Sequence, residues 1–237
     1  MGLDGRVAVV TGAAGSAGRA VTRELAANGV RLGLVGSRLE RLEALAGELG
    51  LEQDRWFGVA ADLRDAAAAS GAMDAVLARF GRIDVVVHLV GGWTGGTAVV
   101  DTPDAEFTSM LDQHLWTTLN VVRAAVPHML AGGWGRVVAV SSPVASDPPP
   151  KLAAYAVGKA AEEALLGTLA REVSGTGVTV NVLQVRTIDA THDRDAAPTP
   201  KNASWTTPEE IAAAVRYLCS DEASPVNGAR IPLSQRS

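Results

Sequence analysis

Short apolar runs alternate with amphipathic stretches along the whole chain. Runs rich in valine and leucine are typical of buried strands, and they predict strands at Val7–Val10, Arg31–Val35, Trp56–Ala60, Val85–Val90, Arg136–Ser141, Val178–Leu183 and Arg230–Leu233. Between them, helical periodicity predicts helices at Arg19–Asn28, Arg38–Leu49, Ala66–Phe80, Asp104–Leu130, Ala154–Ser174 and Pro208–Cys219. Strands joined by helical crossovers pair in parallel. The pattern therefore predicts an α/β fold with a doubly wound parallel β-sheet flanked by helices on both faces.

The chain is expected to form a single domain, 1–237. Its length suits one large α/β domain, and no proline- or serine-rich linker interrupts the alternation. Residues 187–206 are mostly polar and include two prolines, so we expect a short lid over the substrate there. No apolar run reaches the length of a membrane span, and no export signal opens the chain. We expect a cytoplasmic protein without a membrane partner.

Charge and cysteine content exclude several classes of function. The formal net charge is −5 and no basic block is present, which argues against nucleic acid and anionic membranes as partners. Cys219 is the single cysteine, so an internal disulfide and a cysteine-only metal site are excluded. The four histidines lack the spacing of a metal site. Any chemistry of this chain has to be indicated by individual residues.

Tyr155 and Lys159 are the residues that most clearly indicate such chemistry. They stand four residues apart in Tyr-Ala-Val-Gly-Lys, and on a helix this spacing puts the ammonium group beside the phenol, whose pKa it lowers. Ser142 stands thirteen residues before Tyr155 at the end of a predicted strand, so its hydroxyl can meet the phenol at the carboxyl edge of the sheet. If the spacing of Tyr155 and Lys159 is considered alone, the alternative is a packed tyrosine beside a solvated lysine.

A glycine-rich turn follows the first predicted strand and leads into a helix. Glycines let the backbone approach a pyrophosphate, and a helix N-terminus offers unpaired N–H groups. Cofactor contacts are expected at Gly12, Gly15, Ser16, Ala17 and Gly18. A tight connection without a ligand is the alternative for this turn.

Together these features resemble the short-chain dehydrogenase/reductase family, from about Leu3 to Gly228. The ordered landmarks are the turn at Thr11 to Gly18, Asp62, Gly81-Arg-Ile-Asp84, Ser142 with Tyr155 and Lys159, Asn181, and Thr207-Pro-Glu-Glu-Ile-Ala. The resemblance implies a single Rossmann-fold domain that moves a hydride between NAD(P)H and a carbonyl or alcohol. It also implies that Lys159 holds the nicotinamide ribose. Further cofactor contacts are implied at Asp62, Leu63, Gly91, Tyr155 and Ile188.

The end of the second predicted strand favours NADP(H) as the cofactor. NAD preference usually needs a carboxylate at this place to bind the ribose 2′-hydroxyl, and Val35-Gly-Ser-Arg38 has none. Ser37 and Arg38 instead offer a hydroxyl and a guanidinium group that can bind a 2′-phosphate. NAD(H) is the alternative, if Arg38 is only a solvated residue of the helix that follows.

Several positions depart from the family pattern. Ser16 replaces a glycine, His88 begins the segment that replaces Asn-Asn-Ala-Gly, and Val185-Arg186 replaces Pro-Gly. His114 replaces an asparagine that supports a helix bend, where a main-chain carbonyl holds a water bridging to the lysine. His114 is either a packed histidine without a proton role or an imidazole that titrates near neutrality and takes part in proton transfer. His88 is expected to be a hydrogen-bonded core residue.

The substrate is expected to be a small carbonyl or alcohol compound. Trp93 and Val144 fall in loops around the expected pocket, which suggests an apolar or ring-containing molecule. Arg186 could bind an anionic group of the substrate or form a surface ion pair.

The sequence as a whole predicts reversible carbonyl reduction, with Tyr155 as acid and base and Ser142 on the substrate oxygen. The departures from the family pattern raise two alternatives. One is a cofactor-binding protein without turnover that acts as a sensor or partner subunit, and the other is an enzyme of the same fold for dehydration or epimerisation. The apolar surfaces of the predicted helices 104–130 and 154–174 also indicate a homodimer or homotetramer.

Overall fold

Parallel strands form the central sheet of the computed structural model, which describes residues 2–233. Met1 and residues 234–237, the ends of the predicted domain, lie outside the described residues. The strands are β1 (Val7–Thr11), β2 (Arg31–Gly36), β3 (Trp56–Ala60), β4 (Val85–His88), β5 (Gly135–Ser141), β6 (Val178–Gln184) and β7 (Arg230–Pro232). Within the described part they form one sheet in the order β3-β2-β1-β4-β5-β6-β7. This order confirms the predicted α/β fold.

Helices cover both faces of the sheet. They are α1 (Ser16–Ala27), α2 (Leu39–Glu48), α3 (Ala66–Phe80), α4 (Asp104–Leu111), α5 (Thr117–Gly132), α6 (Ala153–Glu172), α7 (Asp193–Ala196) and α8 (Pro208–Cys219). Buried side chains of α1, α2 and α8 join the core on one face, and those of α3, α5 and α6 join the core on the other. None of the helices within residues 2–233 is both long and apolar enough to cross a membrane.

The direction of winding reverses between β1 and β4. The chain moves from β1 outwards to β2 and β3, then returns to pair β4 with the other side of β1, where Thr11 lies opposite His88. In doubly wound sheets a ligand crevice opens at the carboxyl ends of the strands at such a reversal. The carboxyl ends of β1, β4 and β5 are therefore the place where a site is expected.

Two predicted elements differ from the observed ones. The predicted helix 104–130 consists of α4, a π-helical segment at Asp112–Trp116 and α5. The predicted strand 85–90 is too long, because its pairing with β1 and β5 ends at His88. Leu89 and Val90 belong to the loop that follows β4. Because they do not pair with a neighbouring strand, a ligand can approach them at the carboxyl end of β4.

Segment 187–206, which is predicted to form a lid, is held in place by hydrogen bonds between its own residues. Ile188 forms an isolated parallel bridge with Thr206, and the buried carboxylate of Asp189 accepts hydrogen bonds from the backbone N–H groups of Asp193 and Arg194. Because of these contacts, the segment forms a folded loop that contains α7.

Candidate active site

The turn between β1 and α1 is shaped for close approach of a ligand to the backbone. Gly12 has a φ of 67°, a conformation that favours glycine. A Cβ at Gly18 would lie 2.3 Å from the Gly12 carbonyl oxygen, so the helix can pack this closely only with glycine there. Gly15 is the N-cap of α1, and Ser16, which replaces a family glycine, is the first helical residue. The N–H groups at this helix end point out of the turn and suit an anion.

A cavity of about 780 Å³ extends from this turn to the ends of β2 and β3. Residues predicted to contact the cofactor line it, namely Gly12, Gly15, Ser37, Arg38, Asp62, Leu63 and Gly91. Arg41 also lines it. Within residues 2–233 neither Arg38 nor Arg41 forms an ion pair, so both guanidinium groups are uncommitted.

Asp62 lies in the wall of this cavity and is held by Arg64. The Arg64 side chain donates to both carboxylate oxygens, with Nη2 2.7 Å from Oδ2. These hydrogen bonds lower the pKa of Asp62. Asp62 does not cap the helix that follows, because Asp65 is the N-cap of α3 and accepts a hydrogen bond from the Ala68 N–H.

A second cavity, of about 430 Å³, adjoins the first and shares Leu89, Val90 and Gly91 with it. Residues from the predicted site line this cavity, namely Ala17, Gly91, Trp93, His114, Tyr155, Lys159, Arg186 and Ile188. The structure thus brings the turn, the tyrosine and the lysine to one crevice. An elongated ligand with a pyrophosphate, such as a dinucleotide, fits the glycine turn, the helix end and the two adjoining cavities.

Ser142 and Val144 are placed differently from the other predicted residues. Ser141, the residue before Ser142, lines the second cavity, whereas neither Ser142 nor Val144 is among its lining residues. Ser142 is buried, and its Oγ accepts a long hydrogen bond, 3.5 Å, from the Val144 N–H. The hydroxyl proton of Ser142 is not used by this contact. Arg186 donates to Ser204 Oγ at 3.3 Å instead of forming an ion pair.

Helix α6 carries Tyr155 and Lys159 on one face. Lys159 is buried, and its Nζ donates to the Val140 carbonyl oxygen at the end of β5 and to Glu162 Oε2, both at 2.8 Å. Tyr155 is partly buried, and its ring packs edge-on against the His114 ring with centroids 5.6 Å apart. The buried ammonium group, the phenol and the His114 ring thus line the same cavity.

His114 lies within the π-helical segment and is buried. Its Nε2 is 3.0 Å from the Gly92 carbonyl oxygen, so this nitrogen carries the proton and donates. Burial first, and the charge of Lys159 second, lower the pKa of His114 to about 3. The imidazole is therefore neutral at neutral pH, which argues against the alternative that it titrates there.

The main-chain carbonyl of His114 already has a hydrogen-bond partner. Thr118 Oγ1 lies 2.6 Å from this oxygen and 3.3 Å from Glu162 Oε1. The Thr118 hydroxyl thus links the backbone of the π-helical segment to the Glu162 carboxylate, which in turn binds Lys159.

Glu162 and Gly158 belong to the site although their positions in the sequence did not single them out. Glu162 contacts Lys159 directly. Gly158 makes room for the His114 ring, because a Cβ there would lie 3.0 Å from His114 Cδ2 and 2.9 Å from the Met110 carbonyl oxygen. Gly158 is the glycine of Tyr-Ala-Val-Gly-Lys, and a glycine inside a helix is the sequence signal that could have indicated this close contact.

His88 is the hydrogen-bonded core residue that was predicted. Its ring nitrogens lie 2.9 Å from Thr11 Oγ1 and 3.2 Å from Thr117 Oγ1. Burial lowers its pKa to about 3. Residues 2–233 contain no group of three or more His, Cys, Asp or Glu side chains that could hold a metal ion.

Comparison with known proteins agrees with this geometry. A family model described as short chain dehydrogenase matches residues 6–201. The D-threitol dehydrogenase of Mycolicibacterium smegmatis is 34% identical over 242 residues, covering 96% of this chain and 90% of that protein. The 2,3-dihydroxy-2,3-dihydro-p-cumate dehydrogenase of Pseudomonas putida is 31% identical over 241 residues, covering 95% and 92%. The crystal structure of an NAD+-bound xylitol dehydrogenase is similar with a TM-score of 0.86 and 26% identity, covering 97% of this chain and 98% of that chain.

Proposed function

The chain belongs to the short-chain dehydrogenase family, and we propose that it interconverts an alcohol and a carbonyl with Tyr155 as the acid and base. The two relatives named above match it over nearly its whole length and are dehydrogenases, so it is an NAD(P)-dependent oxidoreductase of CH–OH and C=O groups. The observation that carries the proposal is the joint presence of Tyr155 and Lys159 in the wall of a cavity continuous with the glycine turn.

Tyr155 moves the proton in this proposal. In the reducing direction its phenol donates the proton to the substrate oxygen, and in the oxidising direction the phenolate accepts it. A phenol has an ordinary pKa of about 10. The ammonium group of Lys159 in the same cavity wall stabilises the phenolate, so proton exchange becomes easier nearer neutrality.

Ser142 is proposed to bind the substrate oxygen. Its Oγ accepts from the Val144 N–H, which leaves its own proton available for donation. It follows Ser141, which lines the cavity at the carboxyl end of β5. Donation of this proton to the substrate oxygen would complement the proton transfer by Tyr155.

The nicotinamide cofactor, when bound, supplies or receives the hydride. Gly12, Gly15 and the N-terminal turn of α1 would hold the pyrophosphate, since the backbone there is open to close approach. Ile188, Gly91 and Ala17 line the second cavity and would surround the nicotinamide end. Asp62 and Leu63 would contact the adenine end.

NADP(H) is the proposed preference. Ser37, Arg38 and Arg41 line the first cavity at the end of β2, and the two arginines have no ion-pair partner within the described residues. Uncommitted guanidinium groups suit a 2′-phosphate, which they can bind through two parallel hydrogen bonds. NAD(H), which occupies the similar xylitol dehydrogenase, is the other outcome of the test below.

A hydroxylated alcohol or the corresponding ketone is the proposed substrate class. The names of the similar dehydrogenases cover an open-chain polyol and a ring diol. The second cavity combines apolar Val90, Trp93 and Val185 with polar Thr187 and Arg186, a lining that accepts a compact carbon skeleton with more than one oxygen.

An absorbance assay of the reduced nicotinamide tests this function. The protein would be assayed with NAD(H) and NADP(H) against open-chain polyols, ring diols, mono-alcohols and their ketones. We expect turnover with a diol or hydroxyketone and the tighter binding with NADP(H). Cofactor binding without turnover of any compound would instead support a sensor or partner subunit, and loss of water or inversion at carbon without net redox would support the dehydratase or epimerase alternative.

A further inference from the structure

A buried carboxylate lies against the lysine of the site. Glu162 is fully buried, and its Oε2 is 2.8 Å from Lys159 Nζ, which is itself only 6% exposed at the side chain. The other contact of the ammonium group is the Val140 carbonyl oxygen. The ammonium group of Lys159 therefore contacts one charged group and one neutral group. Tyr155 lies one turn earlier on the same helix.

Burial of this ion pair is costly for the fold. Burial raises the pKa of Glu162, and the charge and hydrogen bond of Lys159 oppose that effect. Apolar residues of similar volume are often at least as stabilising as a buried ion pair. Stability alone therefore gives no reason for a carboxylate at this position, whereas an effect on the lysine does.

Other groups around Glu162 allow it to keep its charge. Thr118 on α5 faces it, and the single hydroxyl proton can be directed at Glu162 Oε1 or at the His114 carbonyl oxygen. Glu163 is the nearest like charge on α6, and His114 faces the pair from the π-helical segment as a neutral ring. Glu163 itself is engaged elsewhere, with Gln184 of β6 and Arg230 of β7.

We propose that Glu162 is a positioning residue for the reaction, which anchors the ammonium group of Lys159 and moderates the positive charge that acts on Tyr155. The proposal rests on the proposed function, in which Lys159 lowers the pKa of the phenol. A negative charge beside the ammonium group cancels part of its potential at the phenol. Glu162 therefore keeps the pKa of Tyr155 higher than Lys159 alone would make it.

The test uses the small number of tyrosines in the chain. Tyr155 and Tyr217 are the only two, and Tyr217 is an exposed residue of α8. In a Tyr217→Phe background, phenolate absorbance followed against pH reports the pKa of Tyr155 without cofactor or substrate. In that background Glu162→Gln, which keeps the volume and removes the charge, should lower this pKa by about one unit, the usual effect of one nearby charge.

Three further variants in the same background make the result decisive. Glu163→Gln is the matched control, since it removes a buried carboxylate one residue away that does not contact Lys159, and it should leave the pKa of Tyr155 nearly unchanged. Glu162→Met also removes the charge, with an apolar side chain of similar volume, and should lower the pKa in the same direction. It also serves if Glu162→Gln fails to fold. Lys159→Met should raise the pKa.

The possible results separate this inference from the function on which it rests. An unchanged or raised pKa in Glu162→Gln, or an equal shift in Glu163→Gln, overturns the role of Glu162. If Glu162→Gln cannot be purified folded, an unchanged pKa in Glu162→Met overturns it. If Lys159→Met leaves the pKa of Tyr155 unchanged, the role of Lys159 in the proposed function is wrong, whatever the other variants show.

Discussion

Lys159 is the residue through which we propose that the surroundings act on Tyr155. Its ammonium group is buried between the Val140 carbonyl and Glu162, so its position is defined by β5 and by its own helix. A buried cation acts strongly because little water screens it. The reactivity of the phenol is therefore a property of its neighbours, each of which can be changed separately.

Arg38→Ala tests cofactor choice at the level of one residue. If Arg38 binds the 2′-phosphate, its removal should weaken NADPH binding about tenfold or more, since charge-assisted hydrogen bonds are lost, and should leave NADH binding nearly unchanged. Quenching of protein fluorescence by each cofactor measures both affinities. Arg123→Ala, an exposed change on α5 with the same loss of charge, is the control. An unchanged NADPH to NADH ratio in Arg38→Ala would reject Arg38 as the phosphate ligand.

His114→Asn tests whether the imidazole carries protons. Because burial and Lys159 lower the pKa of His114 to about 3, the ring is neutral over the working range and cannot titrate near neutrality. We expect the variant to keep most activity and the shape of the pH profile of kcat/KM. Disappearance of a limb near pH 6 to 7, about the ordinary pKa of histidine, would show that His114 does take part in proton transfer.

Side chains were predictable from the sequence where local spacing alone decides their place. Tyr155 and Lys159 share a helix face because of their separation, and the structure puts both in one cavity wall. Glu162 was missed because a glutamate in an amphipathic helix is normally solvated. It lies buried in contact with Thr118 of α5, which is 44 positions away in the sequence, and no local pattern encodes such a contact.

The π-helical segment is the element that distinguishes this site from a plain helix–sheet edge. It lies between α4 and α5 and places His114 against Gly92, Tyr155 and Gly158. The apolar periodicity of 104–130 continues through it, so the sequence predicts one uninterrupted helix. A π turn inserts one residue into a helix and is frequent at functional sites, but its position follows from packing against α6 and is not visible in the period.

Gly158→Ala tests the packing of α6 against this segment. A Cβ there would lie 2.9 Å from the Met110 carbonyl oxygen and 3.0 Å from His114 Cδ2, so the backbone must move. The cost of such overpacking, about 1–3 kcal/mol, should exceed the gain of about 0.5–1 kcal/mol from replacing a helical glycine. We expect a net loss of stability in urea unfolding and lower activity.

Gly71→Ala is the matched control for this variant. Gly71 lies within α3, and no atom is within 4 Å of an added Cβ. Here only the gain in helix propensity acts, so the variant should be more stable by about 0.5–1 kcal/mol. Equal stabilisation of both variants would contradict the close packing at Gly158.

At the scale of the whole molecule, the doubly wound parallel sheet was the most predictable feature. Valine-rich runs separated by crossover helices permit few arrangements, since such connections are right-handed and the strands parallel. The strand end predicted least well is that of β4, where pairing with β1 and β5 stops before the apolar run does. Strand ends depend on the neighbour, and the neighbour is not encoded locally.

The outer surface of α5 and α6 is proposed to join two copies of the chain. Trp116 of the π-helical segment, Leu130 of α5 and Val157 of α6 are 45%, 41% and 43% exposed, and an interface that covers them would remove this apolar surface from water. Light scattering at micromolar concentration should therefore give a dimer or tetramer, and Val157→Glu should weaken it. Tyr217→Glu, at a site 48% exposed on α8, is the control that should keep the assembly. A monomeric parent protein would contradict the helix-pairing argument.

The most direct test of the whole account is the effect of Tyr155→Phe on turnover and on cofactor binding, measured together. The change removes only the transferable proton, so turnover of a substrate identified in the assay above should fall about a hundredfold or more. The dissociation constant of the cofactor should stay nearly the same, because the turn, the helix end and both cavities are intact. Comparable turnover in the parent and in Tyr155→Phe would contradict the assignment of Tyr155 as the acid and base.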